Sequence, residues 1–123
     1  WEFMSLIAQK ADCGLILDIS NAYVSSFNEK FNPYDYIDGI DASRVRQIHI
    51  AGYSIDSTFL YDTHAGPISP ESFAMLEYFA SKYGPRSTIA EWNQKLPEIQ
   101  TIVDEARKCR TIFEKSTKKG IAA

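Results

Sequence analysis

Four short segments of the chain end in side chains that bind hard or borderline metal ions. They are Leu15-Ile16-Leu17-Asp18-Ile19-Ser20-Asn21, Gln47-Ile48-His49-Ile50-Ala51-Gly52, Tyr61-Asp62-Thr63-His64 and Thr88-Ile89-Ala90-Glu91-Trp92. In three of them an apolar run of the kind that forms a buried parallel strand stops at a carboxylate or an imidazole. Parallel α/β barrels place their chemistry at the C-terminal ends of their strands. Asp, His and Glu arriving there from separate strands form a donor set for a metal ion.

Each residue also has a plainer explanation. Asp18 could cap the turn that follows it, because loops at strand ends collect capping as well as functional residues. Asn21 has an amide oxygen suited to a hard metal, but Asn is a common turn residue. His49 interrupts an apolar run, and a lone histidine on a strand is often a hydrogen-bonded core residue. It gains weight as a ligand from the acidic strand ends around it. Asp62 and His64 are one residue apart and, in extended geometry, share a face, so one ion could take both; otherwise they are a solvated loop pair. Glu91 precedes Trp92, which predicts a partly dry setting in which a carboxylate bridges two metals or acts as a general base. Asp18, His49 and Glu91 are the candidate catalytic set, and Asn21, Asp62 and His64 complete the candidate ligands. With carboxylates, imidazoles and no thiolate run, the set favours non-haem iron, manganese or zinc over copper(I) or iron–sulfur. No Ser-His-Asp or Cys-His arrangement is visible, and no GxGxxG or GxxxxGK[ST] turn supports a dinucleotide or P-loop site.

The elements that must position these groups follow from periodicity. Residues 1–12 read as a helix with Phe3, Leu6 and Ile7 on one face, stopped near Gly14. Strands are predicted over 15–19, 46–51 and 87–92, paired in parallel. Asn32-Pro33 opens a short helix with Tyr34 and Ile37 on its apolar side. Residues 53–67 read as a long loop, and loops of that length in compact domains are usually functional or disordered. It is expected to lie over the strand mouths with Asp62 and His64 pointing inward. Ser69-Pro70-Glu71-Ser72 has the chemistry of a helix start, with an N-cap serine, proline in the first turn and an acidic residue. Its stripe is Phe73, Leu76, Phe79, Ala80 and Tyr83, ended by Gly84-Pro85. A last helix begins at Pro97 with Ile99, Ile102, Val103, Ala106 and Phe113 as its face.

Strands alternating with helices signify a parallel α/β sheet. The chain has 123 residues, whereas a closed (β/α)8 TIM barrel typically needs about 250, and three strands cannot close one. The expectation is that residues 1–123 are the C-terminal portion of a single TIM-barrel domain whose N-terminal half lies outside this chain. The opening Trp1-Glu2-Phe3-Met4, without an initiator methionine, agrees with that.

Composition bounds the function. The chain is 45% hydrophobic and 24% charged, with a net charge of −3. Mild acidity argues against nucleic acid or an anionic membrane as partner, and no apolar run approaches the roughly 20 residues of a membrane span. The basic run Lys115-Ser116-Thr117-Lys118-Lys119 reads as a solvated tail. Cys13 and Cys109, far apart and outside any CxxC, fit reduced thiols. With no secretion signal expected, they point to the cytoplasm.

The motifs resemble a family. Gly14 to Ser25 with its Asp18 and Asn21, then Asn28, Phe31-Asn32-Pro33-Tyr34, Arg44 to Tyr53, Tyr61-Asp62-Thr63-His64 and Ile89-Ala90-Glu91-Trp92-Asn93 resemble the multinuclear non-haem iron enzymes typified by the methanobactin-biosynthesis oxidase. The resemblance covers nearly the whole chain, with the motifs in the family's order. It implies a TIM barrel of the xylose isomerase-like superfamily that binds two or three iron ions. It also implies the use of dioxygen to modify cysteine residues of a ribosomally made precursor peptide, often with a small partner protein that presents the peptide. It places Asp18, Asn21, His49, Asp62, His64 and Glu91 at metal-ligand positions. Two residues depart from the pattern: Ser20 stands for the first of two asparagines, and Tyr53 stands where a histidine is frequent. The family's N-terminal half supplies further histidine and glutamate ligands. Two other readings share these motifs. One is a divalent-metal-dependent sugar isomerase, epimerase or phosphodiesterase of the same superfamily; the other is an inactive barrel segment with a structural role.

Overall fold

The computed structural model describes residues 1–121. Its elements run α1 (Glu2–Ala11), β1 (Leu15–Asp18), α2 (Ile19–Glu29), α3 (Pro33–Gly39), β2 (Val45–Ala51), β3 (Ser54–Asp56), β4 (Phe59–Tyr61), α4 (Pro70–Tyr83), β5 (Ser87–Glu91) and α5 (Ile99–Ile121). Strands β1, β2 and β5 form one sheet in that order, and both pairings are parallel. The three predicted strands are thus present and parallel, alternating with helices as in a section of a TIM barrel. Among the described residues no helix is long and apolar enough to cross a membrane.

The sheet has two unlike faces because side chains alternate along a strand. Leu15, Leu17, Val45, Ile48 and Ile50 are buried together with Ile37, Met75, Leu76, Phe79 and Cys109 from the helices. Burying each such side chain contributes on the order of 1.5–3 kcal/mol. The opposite face carries Ile16 and Ile89, which are 65% and 45% exposed, together with Asp18, His49 and Glu91. A register shift between Leu15 and Ile16 passes over Arg46, so Leu15 pairs with Val45 and Ile16 with Gln47. That extra residue keeps Val45 and Ile48 on the helical side while His49 falls on the other.

Several local expectations hold at the level of single hydrogen bonds. The Ser69 hydroxyl accepts from the Ser72 N–H at 3.1 Å, and Gly84 ends α4 at φ 78°. Asn32 caps α3, accepting from the Tyr34 N–H at 3.2 Å.

Other expectations are corrected. Ile19 does not end β1 but opens α2, an eleven-residue helix that its Ser- and Asn-rich sequence conceals. The segment 53–67 contains the antiparallel hairpin β3–β4, too short to show an alternating pattern. Phe3, Leu6 and Ile7 are exposed, and Ala8 is the buried residue of α1. In α5 the predicted face holds only in part: Phe113 packs against the core and Ile102 is half-buried. Ile99, Val103 and Ala106 face outward, whereas Glu105 and Cys109 are buried. Lys115 to Lys119 belong to α5 rather than to a tail.

Candidate metal centre

Asp18, His49 and Glu91 reach the site through strand register. Asp18 pairs with His49 across β1 and β2, His49 with Ile89 across β2 and β5, and Ala51 with Glu91 one step further on. The Asp18 Oδ2 atom lies 2.7 Å from His49 Nδ1, and His49 Nε2 contacts Glu91 Oε2. Asp18 also fulfils the plainer reading, since its Oδ1 accepts from the Asn21 N–H at 2.8 Å and caps α2. One carboxylate thus starts a helix with one oxygen and faces the imidazole with the other.

The β1 and β2 ends are fastened by Ser20. Its buried hydroxyl donates to the Ala51 carbonyl at 2.7 Å and accepts from the Ala51 N–H at 2.8 Å. The departure at this position therefore supplies a clamp between neighbouring strand ends.

Asp62 and His64 arrive from the segment after β4. Asp62 Oδ1 lies 3.2 Å from His64 Nε2, and His64 Nδ1 lies 3.4 Å from Glu91 Oε2. The two side chains do turn toward the strand ends. They do so without the extended backbone expected from their spacing, because His64 adopts a left-handed φ of 52°. Such a conformation in a non-glycine residue typically costs on the order of 1–3 kcal/mol and must be held by its surroundings. Here the His64 carbonyl accepts from the Asn93 N–H at 2.8 Å, and Ala65 bridges Gln94. Asn21 Nδ2 donates to Asp62 Oδ2 at 3.2 Å. All six residues singled out by sequence therefore form one connected cluster.

The Glu91 side chain is 34% exposed, and the Trp92 indole N–H turns away to donate to the Gln94 carbonyl at 2.8 Å. Burial opposes charge on His49. The charge of Asp18 and the hydrogen bonds to Glu91 and Asp18 outweigh it and raise the imidazole pKa above its ordinary value. Glu91 is held below the usual carboxylate range, first by its hydrogen bond with His49 and then by that with Asn93.

This donor set fits a cation. Both ring nitrogens of each histidine face carboxylates, so three acidic groups crowd two imidazoles. One ligand atom each from Asp18, His49 and His64 lies within 4.8 Å of the others. Oxygen and imidazole donors on an open face suit divalent iron, manganese or zinc. Neither cysteine belongs to it: Cys13 and Cys109 are free thiols, and burial followed by the Glu105 charge raises Cys109 to a pKa of about 11.

Residues to which sequence reasoning gave no task hold the site from behind. Asn28 binds the backbone of Leu60 and Glu105 that of Ile68, one on each side of Asp62 and His64. Gly52 lets that segment approach β2, since a Cβ at Gly52 would lie 2.1 Å from the Gly66 carbonyl oxygen. A glycine just past a strand that carries a ligand was the one available signal for such a close approach.

Parallel strands with an acidic and imidazole cluster at their C-terminal ends have the arrangement of an α/β-barrel active-site mouth with a candidate metal site. Residues 1–114 match the family described as RiPP precursor modification enzyme MbnB/TglH/ChrH, and the chain belongs to that family. Its curated relatives include UPF0276 proteins. One from Acaryochloris marina is 36% identical over 111 residues, covering 90% of this chain and 40% of that protein. One from Rhizorhabdus wittichii is 40% identical over 110 residues, covering 89% and 40%. One from Caulobacter vibrioides is 32% identical over 122 residues, covering 99% and 44%. The chain thus spans about two fifths of the length of these relatives. The family is one of enzymes that modify a peptide precursor.

Proposed function

We propose that the full-length protein is a multinuclear iron-dependent oxidase that uses dioxygen to modify cysteine residues of a ribosomally synthesised precursor peptide. Residues 1–123 would form the C-terminal portion of its single TIM-barrel domain. The observation that carries this reading is the convergence of Asp18, Asn21, His49, Asp62, His64 and Glu91, in a chain of a peptide-modifying family. The resemblance implies two or three irons, and the donors divide into two groups: Asp18, His49 and Glu91 at the strand ends, and Asp62 and His64 on the loop with Asn21 beside Asp62. Manganese or zinc would satisfy the same donors, but zinc has no redox chemistry and would not carry the dioxygen step.

Iron bound at the cluster would supply dioxygen activation and lower the pKa of a substrate thiol. The chain's own residues have definable tasks. Asp18 and Glu91 flank the two ring nitrogens of His49; with a metal bound, one nitrogen would give up its carboxylate for the ion while the other kept its partner and its ring orientation. Glu91 faces both His49 and His64 and would share the holding of a metal ion with either imidazole. In a complete barrel the face that carries Ile16 and Ile89 would turn into the barrel interior, so the peptide would reach the cluster from the C-terminal ends of the strands. A small partner protein that presents the peptide, and a cytoplasmic setting, complete the proposal.

The test combines metal analysis of the full-length protein with oxygen uptake in the presence of its cysteine-bearing precursor. Stoichiometric iron and oxygen-dependent mass change of the peptide are expected. Turnover of a sugar or phosphodiester with a redox-inert ion, and no peptide modification, would move the assignment to another branch of the barrel superfamily.

A further inference from the structure

Asp62 and His64 lie on a segment that shares no strand ladder with the main sheet, yet they meet residues that do. Two side chains outside the cluster grip this segment, one on each side of the pair. The Asn28 amide donates through Nδ2 to the Leu60 carbonyl at 2.9 Å and accepts through Oδ1 from the Leu60 N–H at 3.0 Å. It thereby does what a neighbouring strand would do for that residue. Asn28 sits on α2, the helix that Asp18 caps and that also carries Asn21, so one rigid element touches the segment at Leu60 and at Asp62. On the other side, Glu105 Oε1 accepts from the Ile68 N–H at 2.9 Å. Glu105 is only 5% exposed and sits on α5, the helix that follows β5 and its Glu91. A buried carboxylate is costly unless it is satisfied, and its partner here is a backbone amide four residues beyond His64.

We propose that Asn28 and Glu105 are positioning residues that set the distance of Asp62 and His64 from Asp18, His49 and Glu91. Asn28 references Asp62 to the β1–α2 unit, and Glu105 references His64 to the β5–α5 unit. Neither touches the cluster. The proposal rests on the reading of Asp62 and His64 as metal ligands.

The experiment uses the full-length protein stripped of metal. Ferrous iron is titrated anaerobically by equilibrium dialysis, well below the unfolding temperature of every variant, and exchange of the Thr63 amide is followed in the metal-free state. Asn28→Ala and Glu105→Ala are expected to weaken iron binding by about tenfold, the low end for outer partners of ligands, and to speed exchange at Thr63. Glu105→Gln, which keeps an oxygen acceptor for Ile68, is expected to restore both. Asn28→Ala should add nothing to the loss caused by Asp62→Ala, nor Glu105→Ala to that of His64→Ala. Where an alanine variant does not fold, Asn28→Asp or Glu105→Asp replaces it and is held to the same outcomes. Wild-type iron binding in the folded variants, or losses that add in full to those of the ligand variants, would overturn the proposal. Iron binding lost in Asp62→Ala and His64→Ala but intact in the Asn28 and Glu105 variants removes the positioning role alone. Intact binding in the Asp62 and His64 variants removes the ligand reading, and the positioning role with it.

Discussion

Asp18, His49 and Glu91 stand on a hydrogen-bonded parallel sheet, whereas Asp62 and His64 stand on a segment joined to that sheet by a single bridge, Ala65 to Gln94. The strand trio inherits its geometry from backbone register, which is cooperative and shared with the core. The loop pair depends on individual clamps: Asn28 on Leu60, Glu105 on Ile68, Asn93 on His64, and the close approach at Gly52. A site built this way has a rigid half and an adjustable half. Substitutions in the two halves should therefore differ in kind.

The largest effect is expected in the rigid half. His49→Ala removes the group that lies between Asp18 and Glu91 and leaves two carboxylates facing each other. Iron content should collapse, and peptide modification should fall by more than the roughly 100-fold that outer partners of ligands can account for. Full activity at normal iron content in this variant would remove His49 from the mechanism.

His64→Ala should act more gently if the halves differ. One ion should be lost while the strand trio keeps its own, so metal analysis should show a fractional rather than a complete loss. Equal losses in His49→Ala and His64→Ala would erase the distinction.

Gly52→Ala probes the seam between the halves. The added Cβ would meet backbone, the Gly66 carbonyl, which cannot rotate aside. Overpacking of this kind costs about 1–3 kcal/mol, to be read by denaturant unfolding. Iron binding by the folded variant should weaken at the loop pair. Ser20→Ala probes the rigid half without touching the cluster. It unpairs the buried Ala51 N–H and carbonyl at a cost of about 1–3 kcal/mol. The register of β1, β2 and β5 should hold the trio, so iron binding should change less than stability does.

The smallest effect concerns pH. Burial raises the Glu105 carboxyl above its ordinary pKa, against the hydrogen bond from Ile68 and the charge of Lys108, while the neighbouring Cys109 thiol stays protonated near neutrality. A raised folded-state pKa means that the folded protein holds its proton longer than the unfolded chain. The contribution is present at pH below the unfolded value and is lost as pH rises through the folded value. Glu105→Gln should flatten this part of the pH–stability curve. An unchanged slope would show that Glu105 does not titrate differently on folding.

What the sequence made legible follows the same division. Leu15 to Leu17 and Ile89 to Ala90 are apolar runs ending at Asp18 and Glu91, and His49 interrupts the run from Ile48 to Ala51, so the strands, their parallel pairing and the candidate trio could all be read from the pattern. The loop pair could be read as chemistry but not as geometry, because the left-handed backbone at His64 has no signature in Asp-x-His. Asn28 was visible as part of a motif, without a task. Glu105 was hidden, since a carboxylate on a helix is ordinarily read as solvated. Assigning α5 an inward face from Ile99, Ile102, Val103, Ala106 and Phe113, of which only Ile102 and Phe113 turn inward, placed Glu105 outward. The helix α2 escaped because its Ser and Asn residues disfavour helix interiors locally, and its packing against the sheet and α4 overrides that preference.

The convergence of six residues on iron is tested most directly by anomalous diffraction. Crystals of the full-length protein, loaded anaerobically with ferrous iron, would be measured on both sides of the iron edge. Two or three anomalous peaks are predicted, within bonding distance of Asp18, His49 and Glu91 and of Asp62, His64 and Asn21. Peaks that engage none of these side chains, or a cluster that stays metal-free under saturating iron, would contradict the account.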